Sequence, residues 1–207
     1  STSSTVYWPD DSWQTTTPET SGMCPDAIDE ALDYAFAQGN DTGAVLIIKN
    51  GAIVAERYAE DRDSSSLVTS WSVAKSVTSA LVGAALETGD IKGLEEPLGN
   101  YFPSWADTPK SAITVDHLLT VKTGLELLGD EDGDGIPDGG DLYAAADQVA
   151  LSLSRSLIGA PGEKVYIYSN SDVMLAGELV RQATGQSPAE YWNNGIANKI
   201  GVTSEWW

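Results

Sequence analysis

The chain has 207 residues, 42% of them hydrophobic, which is enough apolar material for a packed core and one or two lobes. Its 31 acidic side chains against 11 basic ones leave a net charge of −20, which argues against nucleic acid or an anionic membrane surface as a partner. No apolar run is long enough to span a bilayer, and the single cysteine, Cys24, excludes an internal disulfide.

Residues 1–22 read as an extended lead-in whose first residues, Ser1-Thr2-Ser3-Ser4-Thr5, are polar and of low complexity. With no initiator methionine or signal peptide in front, this fits a mature protein that is secreted or periplasmic. Residues 23–207 form the main body. Pro25 to Gln38 is amphipathic and reads as a helix ended by Gly39. Gly43 to Glu60 reads as a hairpin, with Ala44-Val45-Leu46-Ile47-Ile48 and Ala52-Ile53-Val54-Ala55 joined by Asn50-Gly51, the favoured pair for a type I′ turn. Continuous apolarity in the first strand suits a strand covered on both faces. Two strands are marginal as a sheet, so the sequence predicts the N-terminal part of a larger fold, completed by a C-terminal remainder or another polypeptide.

Trp71-Ser72-Val73-Ala74-Lys75 then leads into the apolar run Val77 to Leu86, predicting a buried central helix from Ser72 to Glu87 ended by Gly89. Residues three apart on a helix share a face, so Ser72 and Lys75 can touch. A serine hydroxyl becomes a nucleophile when a base takes its proton, and a helix start favours an uncharged lysine through its positive dipole end and apolar surroundings. The alternative is an N-cap serine beside a solvated lysine. Glu95 to Tyr101 and Thr114 to Val121 are shorter helical pieces, and His117 in the second is the sole histidine, so a packing or capping role is expected. A Ser-His-Asp hydrolase would have to use it, and with one histidine and one cysteine a zinc site lacks its usual ligands. Lys122-Thr123-Gly124 follows a leucine-rich helical pattern, with Gly124 expected as its stop.

Between 130 and 141 the acidic residues Asp130, Asp132, Asp134, Asp138 and Asp141 occupy positions one, three, five, nine and twelve of a calcium-type loop, with Gly135 at six and the Ile136 carbonyl at seven. A structural Ca²⁺ is the expected cofactor, and no organic cofactor is expected. Aspartate rather than glutamate at position twelve predicts weaker binding. The alternative is a solvated acidic insertion. Leu142 to Ser154 reads as a further helix. Tyr168-Ser169-Asn170 then places a phenol and an amide two residues apart, ahead of a helical pattern from Val173 to Val180. A phenol near an ammonium can lose its proton and relay it, and an amide can orient a carbonyl. Ser187-Pro188-Ala189-Glu190 is a capping box that opens the last helix. The tryptophans outside the first motif are expected to pack. Helices following a hairpin predict an α+β, two-lobed arrangement, with a mostly helical lobe, an incomplete antiparallel sheet and the site between lobes.

These motifs, with Asp116-His117-Leu118-Leu119-Thr120, Thr123-Gly124-Leu125 and Pro161-Gly162-Glu163, resemble the serine β-lactamase and penicillin-recognising superfamily, in its class C, family VIII esterase and 6-aminohexanoate-dimer hydrolase branch. The resemblance implies a β-lactamase-like fold, with Ser72 as the acylated nucleophile, Lys75 as proton acceptor, Tyr168 as the shuttle to the leaving group and Asn170 as the amide that meets substrate. Either lysine or tyrosinate can be the first base. Lys122-Thr123-Gly124 spells the superfamily's third motif but precedes Tyr168-Ser169-Asn170, the wrong order, so it is read as coincidence. The true third motif and the second oxyanion donor are expected outside the chain. The resulting expectation is a serine hydrolase that forms an acyl-enzyme on a small ester, amide or β-lactam. The alternative is a catalytically silent penicillin-binding-like or calcium-stabilised extracellular binding module.

Overall fold

In a computed structural model of the chain, Asn50 and Gly51 both take left-handed backbone, with φ of 53° and 80°, and the type I′ hairpin forms where Asn-Gly predicts it. The strands it joins, β2 (Ala44–Lys49) and β3 (Ala52–Tyr58), pair antiparallel with a bulge between Ile47 and Ile48. A short strand, β1 (Gln14–Thr15), pairs parallel with β3, so the sheet is mixed, in the order β1-β3-β2, and not purely antiparallel. The continuously apolar β2 was expected to be covered on both faces. Its residues instead alternate in exposure, with Leu46 and Ile48 on the open side. The structure describes residues 6–9, 12–126, 140–163, 166, 168–204 and 206. They divide into two units, Ser1–Thr69 and Ser70–Trp207.

The first unit contains the sheet and α1 (Pro25–Ala35), which starts at its proline and buries Ile28 and Leu32, four residues apart on one face. Arg57 on β3 ties to α1 through Asp33 at 2.7 Å, with its guanidinium over the Phe36 ring at 5.9 Å.

The second unit is helical. A 3₁₀ turn, Trp71–Val73, runs into α2 (Ala74–Thr88), which stops at Gly89 in left-handed backbone. The core gathers where the C-terminal half of α2 meets α6 (Asn170–Thr184): Leu81, Val82 and Ala85 from one, Leu175, Leu179 and Val180 from the other. The first half of α2 is largely exposed, so the helix is not buried along its whole length as its composition suggested. Trp105 fills the core from below, edge-on to Phe102 at 5.1 Å, and its indole N–H donates to the Leu153 carbonyl at 2.9 Å. Trp192 is buried as well, whereas Trp8, Trp13, Trp71 and Trp206 are exposed, which corrects the expectation of packing for Trp8, Trp13 and Trp206.

Residues 95–101 give only a 3₁₀ turn, Leu98–Asn100, and 114–121 give α3 (Val115–Leu119). The helix expected from Leu142 to Ser154 is two, α4 (Gly140–Ala144) and α5 (Gln148–Ser154), because the Asp147 carboxylate accepts from the Ala150 N–H and starts a new helix there. The capping box holds as expected: Ser187 and Glu190 bond reciprocally at the start of α7 (Pro188–Trp192), which continues through a π-turn into α8 (Asn198–Ile200). No helix among the described residues is long and apolar enough to cross a membrane.

Candidate active site

Trp71 enters the 3₁₀ turn with φ of 44°, an unusual backbone for a bulky side chain and one that concentrates at functional sites. Ser72 follows in that turn, one residue short of the α2 N-cap, and makes no capping bond of its own. Its hydroxyl instead receives a hydrogen bond from Lys75 Nζ at 3.0 Å and shares one with Tyr168 Oη at 2.6 Å. Lys75 Nζ also stands 4.9 Å from the centre of the Tyr168 ring. Three residues that the sequence separates by up to 96 positions therefore meet on one oxygen. Tyr168 is 49% exposed and is not a core tyrosine.

The polar neighbours act on the phenol in one direction. Hydrogen bonding to Lys75 first, then to Ser72, draws the Tyr168 hydroxyl below the ordinary tyrosine range, against a smaller upward push from burial. A phenol tuned this way gives up its proton more readily than a free one, as the donor of a proton to a leaving group needs.

Asn170 opens α6 one residue after its N-cap, Ser169. It lines a cleft of about 750 Å³ that also borders Trp71, Lys75, Met174 and Trp206. Among the described residues Asn170 makes no hydrogen bond to Lys75, so its amide stands beside the triad rather than in it. A smaller cleft of about 210 Å³ lies on the Tyr168 side, bounded by Lys75, Thr78, Leu119 and Val173.

The support beneath these residues was not visible in the sequence. Thr123, within the Lys-Thr-Gly tripeptide, is buried and donates to both carboxylate oxygens of Asp172 at 3.0 Å. Desolvation pushes the Asp172 carboxyl up to about 6, against the downward pull of the hydrogen bonds from Thr123 and Ser169. Gly124 is not the expected helix stop: α3 ends at Leu119, and Gly124 is required four residues after the Thr120 cap, where φ is 75° and a Cβ would run into the Gly159 carbonyl. His117 is structural as expected, its Nδ1 accepting from the Thr114 N–H and its own N–H bonding the Thr114 hydroxyl.

Of the calcium-type register, Asp130, Asp132, Asp134, Ile136 and Asp138 lie outside the described residues. Asp141 is described, and its Oδ2 sits 2.7 Å from Arg155 Nη2. That contact is an ion pair without hydrogen-bond alignment, because neither carboxylate oxygen has a hydrogen-bond partner among the described residues. Arg155 is itself buried and also reaches the Ser171 hydroxyl at 3.3 Å. Position twelve of the register is therefore already paired to a cation of the protein.

The sequence profile of the family described as Beta-lactamase matches residues 26–207. The chain belongs to that family. Its fold is the family's, as solved structures also show. A chain assigned as a beta-lactamase from Bacteroides dorei DSM 17855 superposes with a TM-score of 0.70 at 21% identity, over 86% of this chain and 52% of that one. One assigned as a 6-aminohexanoate-dimer hydrolase from Bacillus anthracis gives 0.69 at 21%, over 91% and 53%. A penicillin-binding protein homologue from Caulobacter crescentus gives 0.62 at 20%, over 86% and 48%. This Beta-lactamase family chain thus spans about half the length of those structures, and the family places it in a serine-hydrolase-type superfamily.

Proposed function

We propose that the chain carries the acylating centre of a serine hydrolase acting on an ester, amide or β-lactam. The observation that carries this reading is the single oxygen, Ser72 Oγ, held at hydrogen-bond distance from both a lysine amine and a phenol. Lys75 or the Tyr168 phenolate takes the Ser72 proton, and Oγ bonds to the substrate carbonyl carbon. The bond from that carbon to the leaving oxygen or nitrogen then breaks, and Tyr168 passes the proton to the departing atom. Water attacks the resulting ester, releases the acid and restores the Ser72 hydroxyl. Asn170 holds the substrate's amide or ester carbonyl in this reading, which its position in the lining of the larger cleft supports.

The chain's span of about half the matched structures supports a second element of the proposal: a further segment supplies the partner oxyanion donor and covers the open faces of β2 and α2. Calcium remains a proposal on the oxygen register of Asp130 to Asp138 alone, since Asp141 is engaged by Arg155. Calorimetric titration with CaCl₂ tests it, and an absence of binding heat at millimolar calcium removes it. The acylation reading is tested by intact-mass spectrometry after treatment with a fluorophosphonate. One adduct, absent from Ser72→Ala, is expected. An unlabelled, folded protein would instead favour a silent binding module.

A further inference from the structure

We infer that the Thr123–Asp172 hydrogen-bond pair positions Tyr168, so that the Lys-Thr-Gly tripeptide works here as a clamp on the proton relay. The inference rests on the acylation reading above for its consequence in rate, but its structural part stands separately. Tyr168 is half exposed; among the described residues its hydroxyl is hydrogen-bonded to Ser72, and Lys75 Nζ stands beside its ring. The place of its phenol is therefore set by the backbone from which it projects. The next residue, Ser169, is buried and caps α6 by accepting the Asp172 N–H at 3.1 Å. Asp172 is in turn held through both carboxylate oxygens by the Thr123 hydroxyl. Thr123, Ser169 and Asp172 are each no more than 5% exposed, so water does not compete for these bonds.

The other end of the clamp is anchored on both sides. Lys122 N–H donates to the His117 carbonyl at 2.8 Å, and the Lys122 carbonyl accepts from Gly162 N–H at 2.9 Å. The Gly124 carbonyl accepts from Ile158 N–H at 3.0 Å, and the Thr123 oxygen accepts from Leu125 N–H at 3.2 Å. A strut bonded in this way moves little, so a threonine 45 residues away in sequence fixes where the phenol emerges. A displacement of about 1 Å at the phenol would break its 2.6 Å contact with Ser72 and slow a relay by about 100-fold. Thr123 and Asp172 touch neither substrate nor the reacting atoms, and are positioning residues.

The test uses Thr123→Val, which removes the hydroxyl that donates to Asp172 and accepts from Leu125 N–H, Thr123→Ser, which restores it, and the double variant Thr123→Val/Asp172→Leu. The double variant replaces both partners by apolar groups and leaves no unpaired carboxylate to unfold the protein. The first readout is the titration of Tyr168, followed by phenolate absorbance as the difference from a Tyr168→Phe background. It needs no turnover. The phenol is expected to titrate below the ordinary tyrosine value in the unmodified chain and in Thr123→Ser, and to return to about 10 in Thr123→Val and in the double variant. The second readout is labelling by the fluorophosphonate. Its maximal rate is expected to fall about 100-fold in Thr123→Val, with the half-saturating probe concentration unchanged, and to be rescued in Thr123→Ser. If Tyr168 titrates alike in the unmodified chain, Thr123→Val and the double variant, the clamp is refuted. If the titration shifts as expected but the unmodified chain is never labelled, the clamp stands and the acylation reading fails.

Discussion

Replacing Asp172 by asparagine isolates a strongly perturbed carboxyl beneath the site. Burial raises that carboxyl to about 6, whereas an exposed aspartate titrates near 3.9. Between these values the folded protein holds a proton that the unfolded chain has released, so stability declines as pH rises. The contribution is fully present below about pH 4 and lost above about pH 6. A gap of about two units corresponds to roughly 3 kcal/mol, a substantial fraction of the stability of a domain. The net charge of −20 gives other carboxylates a pH dependence as well, but it is common to both proteins and cancels in their difference. The assay is urea unfolding by tryptophan fluorescence from pH 3.5 to 8 on the unmodified chain and Asp172→Asn. The stability difference is expected to move by about 3 kcal/mol in favour of the variant between pH 4 and 7. Parallel curves across that range would refute the assignment of a buried, proton-holding Asp172.

Tyr168→Phe removes the relay but not the lysine, and should slow fluorophosphonate labelling by about 100-fold or more while leaving the melting temperature unchanged; stopped-flow labelling checks it. Gly124→Ala forces a Cβ into left-handed backbone and against the Gly159 carbonyl. The backbone term alone is roughly 1–2 kcal/mol, so thermal unfolding should fall by about 4 °C or more; an unchanged melting temperature would contradict the close approach.

The features legible in the sequence were those whose physics is local. Asn50-Gly51 specifies its turn because two successive left-handed residues suit that pair, and Ser187 with Glu190 closes a capping box within one helical turn. Ser72 and Lys75 meet because a three-residue spacing is itself a contact near a helix start. Even locally, propensity gave way to a single competing bond at Asp147, where one carboxylate cap divided a continuous helical pattern in two.

What the tertiary structure alone decided is everything that joins distant segments. The order of motifs dismissed Lys122-Thr123-Gly124 as chance, yet burial gives Thr123 a partner 49 residues away, and no spacing rule encodes that pair. Arg155 and Asp141 likewise pair across the start of α4 and the end of α5, in competition with a cation register that the sequence read as free oxygens. Apolarity in β2 and in the first half of α2 stated that these surfaces suit burial, but not what they meet, and in this chain they lie open. Residue types and short spacings thus specify which chemistry is available, because a helical turn or a hairpin fixes geometry over a few residues. Which groups share one oxygen, and which carboxyl is desolvated, depends on packing between segments far apart in the chain, and that is set only when the core closes.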